Sequence, residues 1–304
     1  MSSVLILGGT AFVGEAVAKY LIEHGYEVDI FTRGIRPVKY TGIREHLKGD
    51  RKSQVDVMRK LSHKSYEYVI DVSGYEPSDL ENIFRYLELS HLKRYVFIST
   101  GGVYEDSDFV IDEESPKVMD ISVGAYCFNK KMCEDAIVEF SDKSGLPFTI
   151  LRPSYIYGKG NSQYREAYYF DSVLSGVNVK IPYGRFSKVN FIYIDDLVKL
   201  IHNVMDSPKA IRKAYNATMG EPVTWAQYMM AVNLAMRKFL EIDCVPYDKI
   251  EAGKKFYFPF YDKNYELSLK RGEEDGLYQP QITLIEGMQM SYDWYIYNNM
   301  RMEL

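Results

Sequence analysis

Residues 4–14 read Val4-Leu5-Ile6-Leu7-Gly8-Gly9-Thr10-Ala11-Phe12-Val13-Gly14. Four consecutive apolar residues suit a strand buried on both faces, and the glycines behind them allow a tight turn into a helix whose free N–H groups can receive an anion. That is the form of a dinucleotide phosphate turn, spaced Gly8-x-x-Ala11-x-x-Gly14 with Thr10, Phe12 and Val13 in the gaps. Alanine stands where a third glycine is usual. Its methyl group requires that Ala11 keep φ below zero or that the phosphates lie farther out. A strand-to-helix junction can need glycine for sterics alone, so the surrounding pattern has to decide.

That pattern alternates. Phe12 to His24 has apolar residues at Val13, Val17, Leu21 and Ile22, the spacing of an amphipathic helix ended by Gly25. A strand over Tyr26 to Phe31 follows, then a helix near Val55 to Leu61, a strand Tyr68 to Val72, a helix near Leu80 to Leu89 and a strand Arg94 to Ile98. A helix from Ala125 to Phe140 and a strand Phe148 to Leu151 complete the series. Strands alternating with helices imply parallel pairing through right-handed crossovers, hence an α/β doubly wound parallel sheet with ligands at the carboxyl ends of its strands. Past Pro153 the pattern loosens: helix over Asn161 to Gly176, strands Val177 to Ile181 and Asn190 to Ile194, helices Asp195 to Met205 and Thr224 to Leu240. The expected division is a dinucleotide-binding domain over 1–158, with 186–206 returning to it, and a smaller mixed substrate domain from 159–185 and 207–304. The aromatic run 256–261 reads as core or an oligomer interface more readily than as a substrate pocket, which leaves a homodimer open.

At 304 residues with a net charge of −5, the chain has ample core material and no general attraction to nucleic acid. Cys127, Cys133 and Cys244 are too few for a disulfide framework or a zinc site, and read as reduced and buried in a cytoplasmic protein. The histidines show no metal-ligand spacing, and no apolar run reaches membrane-spanning length.

The strand-end loops carry the chemistry. Thr32-Arg33-Gly34 closes the second strand, where an acid usually grips the ribose of NAD. No acid stands there, and an arginine suits a 2′-phosphate, so NAD(P) is the expected cofactor with a tilt to NADP. Asp50, beside Arg51, is placed to meet the adenine or to serve a turn. Ser73 and Gly74, after the third strand, complete the cofactor candidates. Tyr126 and Lys130, four apart on a helix, emerge on one face. An ammonium beside a phenol lowers the phenol's pKa and makes it a proton shuttle for a carbinol/carbonyl pair, while Thr100 can hold the substrate oxygen. With 27 tyrosines, about two Tyr-x-x-x-Lys matches are expected by chance, and two occur. The other, Tyr155 and Lys159, falls in a loop. Position carries the inference.

Taken in order, Gly8 to Gly14, Phe97 to Tyr104, Tyr126 to Lys130, Leu151 to Gly158 and Asn190 to Asp196 resemble the extended short-chain dehydrogenase/reductase superfamily, in its NAD-dependent epimerase/dehydratase branch, over roughly residues 4–240. The resemblance implies a Rossmann sheet, catalysis by Thr100, Tyr126 and Lys130, and Pro153 and Ile156 beside the nicotinamide. It implies an oxidoreductase or epimerase acting on a hydroxyl/keto carbon of a sugar nucleotide or related small polar metabolite. Relatives that eliminate or decarboxylate carry an acid after the catalytic Ser/Thr. Gly101 and Gly102 stand there instead, which demotes both reactions. Val189 replaces an arginine that grips the diphosphate in sugar-nucleotide members, leaving Lys188 and Arg185 as substitutes. Thr32-Arg33-Gly34 and Gly49-Asp50-Arg51-Lys52 are also similar to an atypical subgroup that includes chloroplast RNA-binding proteins, which lack the catalytic tyrosine. A nucleotide-sensing or RNA-binding protein is therefore the alternative.

Overall fold

The computed structural model describes residues 1–183, 187–239, 241–246, 258–260 and 263–302. Seven parallel strands form the central sheet: β1 (Ser3–Leu7), β2 (Glu27–Thr32), β3 (Glu45–Lys48), β4 (Tyr68–Asp71), β5 (Arg94–Ile98), β6 (Phe148–Pro153) and β10 (Lys213–Ala217). Their order is β10-β6-β5-β4-β1-β2-β3. Val4 to Leu7 are fully buried because helices cover both faces of the sheet. One apolar cluster joins Val4, Ile6, Val28 and Ile70 to α1 (Phe12–Glu23) and α6 (Ile194–Asp206). The other joins Leu5, Leu7, Val69 and Phe97 to α2 (Gln54–Leu61), α3 (Pro77–Tyr86) and α4 (Ala125–Ser144).

The chain winds outward from β1 to β2 and β3, then returns across β1 to β4 and beyond. The crevice at the carboxyl ends of β1 and β4 is therefore the topological switch point, where such sheets bind ligands. Two parallel pairs lie outside the sheet: β7 (Tyr155–Tyr157) with β9 (Phe191–Tyr193), and β8 (Val179–Tyr183) with β11 (Ile242–Pro246). The helices α5 (Glu166–Leu174), α7 (Trp225–Met236) and α9 (Leu284–Met302) pack together, and α8 (Lys270–Glu274) lies against β10.

Two strands escaped the sequence pattern. β3 reads Glu-His-Leu-Lys with only Leu47 buried, and β10, expected in the smaller unit, pairs with β6 at the edge of the main sheet. Edge strands need no continuous apolar run. The helix expected from Asn161 starts only at Glu166, because the Asn161 side chain accepts from Gln163 N at 2.9 Å and holds a turn instead. Of the aromatic run, residues 256, 257 and 261 lie outside the described residues. Phe260 is core, 5.0 Å from Trp225 and 5.1 Å from Tyr155 between ring centroids. Cys133 is buried as expected, whereas Cys127 is half-buried and Cys244, in β11, is exposed. Among the described residues no helix is long and apolar enough to cross a membrane.

Candidate active site

The first loop at the switch point is the glycine turn. Gly8 and Gly9 take φ of +117° and +112°, and a Cβ on Gly14 would stand 2.5 Å from Gly9 N, so the turn can lie on the helix only without side chains there. Ala11 is extended at φ −156°, which meets the requirement its methyl group imposes. Phe12 has φ +37°, a value few non-glycine residues adopt, and begins α1. No side chain caps that helix, so its first N–H groups remain available to a diphosphate between Thr10 and Val13. Tyr40, which no motif marked, donates to Gly9 O at 2.7 Å and closes the turn from outside. These features fit a dinucleotide.

At the end of β2, Thr32 Oγ1 hydrogen-bonds His46 Nε2 at 2.8 Å and accepts from Gly34 N, while Arg33 is exposed. The acid within this strand, Asp29, is buried and committed to Arg44 and Tyr66. Asp50 caps its own turn, accepting from Lys52 N at 2.9 Å. Arg51 corrects the cofactor assignment. Its guanidinium is spent on Asp71 at 2.8 and 2.7 Å, on Ser73 Oγ at 2.9 Å and on Asp79 O. Asp71 also takes the N–H groups of Ser73 and Gly74 at 3.0 and 2.9 Å, so these two shape the crevice without free backbone donors. Burial alone would raise the Asp71 carboxyl, but the charge and hydrogen bonds of Arg51 outweigh it and hold the group below the ordinary aspartate value. The only sequence signal for Asp71 was an acid ending an otherwise apolar strand.

Thr100 follows β5, and its hydroxyl accepts from Gly102 N at 3.1 Å; Tyr126 stands in the first turn of α4. Lys130, one turn on, is buried, with Nζ donating to Ile98 O at 2.7 Å and lying 4.6 Å from the Phe97 ring and 5.1 Å from the Tyr75 ring. Tyr75 also packs 6.3 Å from Tyr126, and its loop is tied down by Asp79 Oδ2, which accepts from Tyr75 N and Glu76 N. The expectation that Lys130 depresses the Tyr126 pKa is not met in this arrangement. Tyr126 is half exposed as a whole, but desolvation, then the potentials of Tyr75 and Cys127, raise its pKa above the ordinary tyrosine value, while Arg165 and the nearby Thr100 hydroxyl pull it back. The ammonium is turned to the Ile98 carbonyl and leaves the phenol protonated, ready to donate.

Burial pulls the Lys130 pKa down to about 8, with Asp71 opposing. An unfolded lysine titrates near 10.4, so between about pH 8 and 10 the folded chain binds fewer protons and stability from this group rises with pH. Chemical unfolding of the wild type and of Lys130→Met should therefore diverge in favour of the wild type by on the order of 2–3 kcal/mol from pH 7.5 to 10. Parallel pH profiles would refute the assignment.

The glycines after Thr100 have a physical cause. A Cβ on Gly101 would run into the hydroxyl of Tyr265, and one on Gly102 would stand 2.7 Å from Cys127 Sγ. An acid has no room there while those side chains hold the space. Behind the site, Arg152 Nη2 meets Glu134 Oε2 at 2.7 Å, Ser99 Oγ donates to Glu134 Oε1 at 2.6 Å, and Arg152 Nη1 reaches Tyr104 OH at 2.7 Å. This buried network ties Ser99 to α4 and to Arg152, so it sets the neighbours of Thr100, Lys130 and Pro153 against one another. Pro153 ends β6 and is buried, and Ile156 lies half-buried in β7.

Comparison with known proteins agrees with this geometry. The chain is 28% identical over 306 residues to the chloroplast stem-loop binding protein of 41 kDa b of Arabidopsis thaliana, covering 95% of this chain and 78% of that one. It is 25% identical to a UDP-glucose 4-epimerase of Vibrio cholerae over 78% of this chain and 76% of the relative. The fold superposes on a crystal structure of UDP-glucose 4-epimerase with UDP-glucose from Thermotoga maritima with a TM-score of 0.79 at 20% identity, covering 98% and 99% of the two chains. It also superposes on the Thermus thermophilus UDP-glucose 4-epimerase complex with NAD, TM-score 0.78 at 19% identity over 97% and 99%. The profile of the NAD dependent epimerase/dehydratase family matches residues 4–218, through the glycine turn, the Thr100, Tyr126 and Lys130 group and the strand that follows α6, and the chain belongs to that family.

Proposed function

We propose that this chain is an NAD(P)-dependent epimerase or oxidoreductase acting on a hydroxyl/keto carbon of a sugar nucleotide. The observation that carries the reading is the meeting of Tyr126 and Lys130, which share the Tyr75 ring, with the end of β5 that leads into Thr100, where Lys130 Nζ donates to Ile98 O. When bound, the nicotinamide supplies reversible hydride acceptance. Gly8 to Gly14 hold the diphosphate, Lys130 is the group for the ribose, and Pro153 and Ile156 border the ring. Tyr126 gives or takes the proton of the substrate oxygen while Thr100 fixes that oxygen. The kinship to UDP-glucose 4-epimerases supports the sugar-nucleotide class, and the space filled by Tyr265 and Cys127 argues against elimination.

Purified protein should carry or bind a nicotinamide dinucleotide and interconvert UDP-galactose and UDP-glucose, or reduce a nucleotide-linked keto sugar, in a coupled assay. Absence of any hydride chemistry, with tight RNA binding at physiological salt indifferent to Tyr126→Phe, would replace this reading with the RNA-binding one. The net charge of −5 weighs against that outcome.

For the cofactor, we propose that the exposed Arg33 receives a 2′-phosphate, giving NADP the preference. Arg33→Ala should weaken NADPH binding about tenfold, the worth of one charge-assisted contact, and leave NADH within twofold. Equal losses for both cofactors in a fluorescence titration would return the preference to NAD.

A further inference from the structure

The other buried or half-buried arginines near the main sheet are spent on the fold. Arg51 is spent on Asp71, Arg152 on Glu134, and Arg94 on Thr149 Oγ1 and Ser207 O at 2.8 Å each. Arg165 is different. It stands just before α5, half-buried, with its guanidinium carbon 4.8 Å from the Tyr155 ring centroid and 5.7 Å from that of Phe260. Among the described residues no carboxylate or carbonyl accepts from its side chain. The neighbouring Glu166 does not neutralise it by contact, because its carboxylate is committed to Gly158 N at 3.0 Å and to Asn161 Nδ2 at 3.1 and 3.0 Å. Tyr155 in turn lies 5.7 Å from the Tyr265 ring, whose hydroxyl stands beside Gly101, so Arg165 is placed on the side of the site that holds Thr100.

A guanidinium laid on an aromatic ring is held in one plane, with its in-plane N–H fork left for a planar or tetrahedral oxyanion. Part-withdrawn from water, it lacks among the described residues the hydrogen-bonded acceptor that such a group ordinarily has. Of the positions expected to grip a diphosphate, Val189 is apolar and wholly buried, and Arg185 lies outside the described residues. Lys188 is exposed.

We propose that Arg165, positioned by Tyr155, is the anion anchor of the substrate site and binds the diphosphate of a nucleoside-diphosphate substrate. This rests on the sugar-nucleotide reading above, which it sharpens: the substrate is held at its phosphates from α5 while Thr100 and Tyr126 address the reacting carbon.

The test is calorimetric titration of the full-length protein with UDP-glucose, inorganic pyrophosphate and uridine, in wild type, Arg165→Gln and Arg165→Lys, with thermal melts as a fold control. UDP-glucose and pyrophosphate affinity should fall at least tenfold in Arg165→Gln and partly return in Arg165→Lys, with uridine unchanged. Retained UDP-glucose affinity in Arg165→Gln overturns the anchor, and if the wild type still turns over UDP-sugars the functional reading survives it. Wild-type binding of pyrophosphate that depends on Arg165, without UDP-glucose binding, upholds the anchor and rejects the sugar-nucleotide reading. Failure of the wild type to bind either phosphate ligand overturns both.

Discussion

Tyr126→Phe is expected to lower kcat for UDP-sugar turnover by about 10³, while the dissociation constant for the nicotinamide cofactor stays within twofold. Proton transfer by a positioned side chain is worth about 10²–10⁴ in rate, and the substitution removes only the hydroxyl that exchanges protons with the substrate oxygen. The Phe ring can keep the packing against Tyr75, whose centroid lies 6.3 Å away, so cofactor binding at the glycine turn has no reason to change. Coupled spectrophotometric turnover beside cofactor fluorescence reads both quantities. A variant retaining more than a tenth of wild-type kcat would place the proton relay elsewhere.

The largest loss of stability should come from Arg152→Met. Burial alone would lower the Arg152 pKa, yet the charge and hydrogen bonds of Glu134 outweigh it and hold the guanidinium above its ordinary value. Removing it leaves the buried Glu134 carboxylate with Ser99 as its remaining donor, and strips Tyr104 OH and Glu113 O of theirs. An uncompensated buried charge of this kind costs about 3–5 kcal/mol, which for a chain of this size lowers the melting temperature by roughly 10 °C. The double variant Glu134→Leu/Arg152→Met should recover most of that loss, since it removes both charges together. Activity should not return with it, because Ser99, adjacent to Thr100, loses its anchor. Equal destabilisation in single and double variants would show that the network acts by packing and not by charge.

The sheet and its ligand crevice were legible in the chain because they depend on periodicity. Continuous apolar runs such as Val4 to Leu7 are buried on both faces, and alternation with helices leaves parallel winding as the outcome. Edge strands β3 and β10 were not legible, since polar residues dilute the apolar signal in each: β3 buries only Leu47, and β10 reads Lys-Ala-Tyr-Asn-Ala. Tyr126 and Lys130 were legible from helical spacing, but spacing says only that two side chains share a face. It does not say where a flexible lysine points.

What the sequence determined by itself is the alternation that winds the sheet, the glycine turn, and the chain positions of Thr100, Tyr126 and Lys130. All of these follow from local backbone preference and residue spacing. The tertiary structure alone decided the rest: that Arg51 is a brace for Asp71, that Lys130 turns to Ile98 under Tyr75, that Tyr265 fills the place of an acid beside Thr100, and that Arg165 lies over the Tyr155 and Phe260 rings. Each of these depends on partners far apart in the chain, brought within a few ångströms by packing, and no local pattern encodes such a meeting.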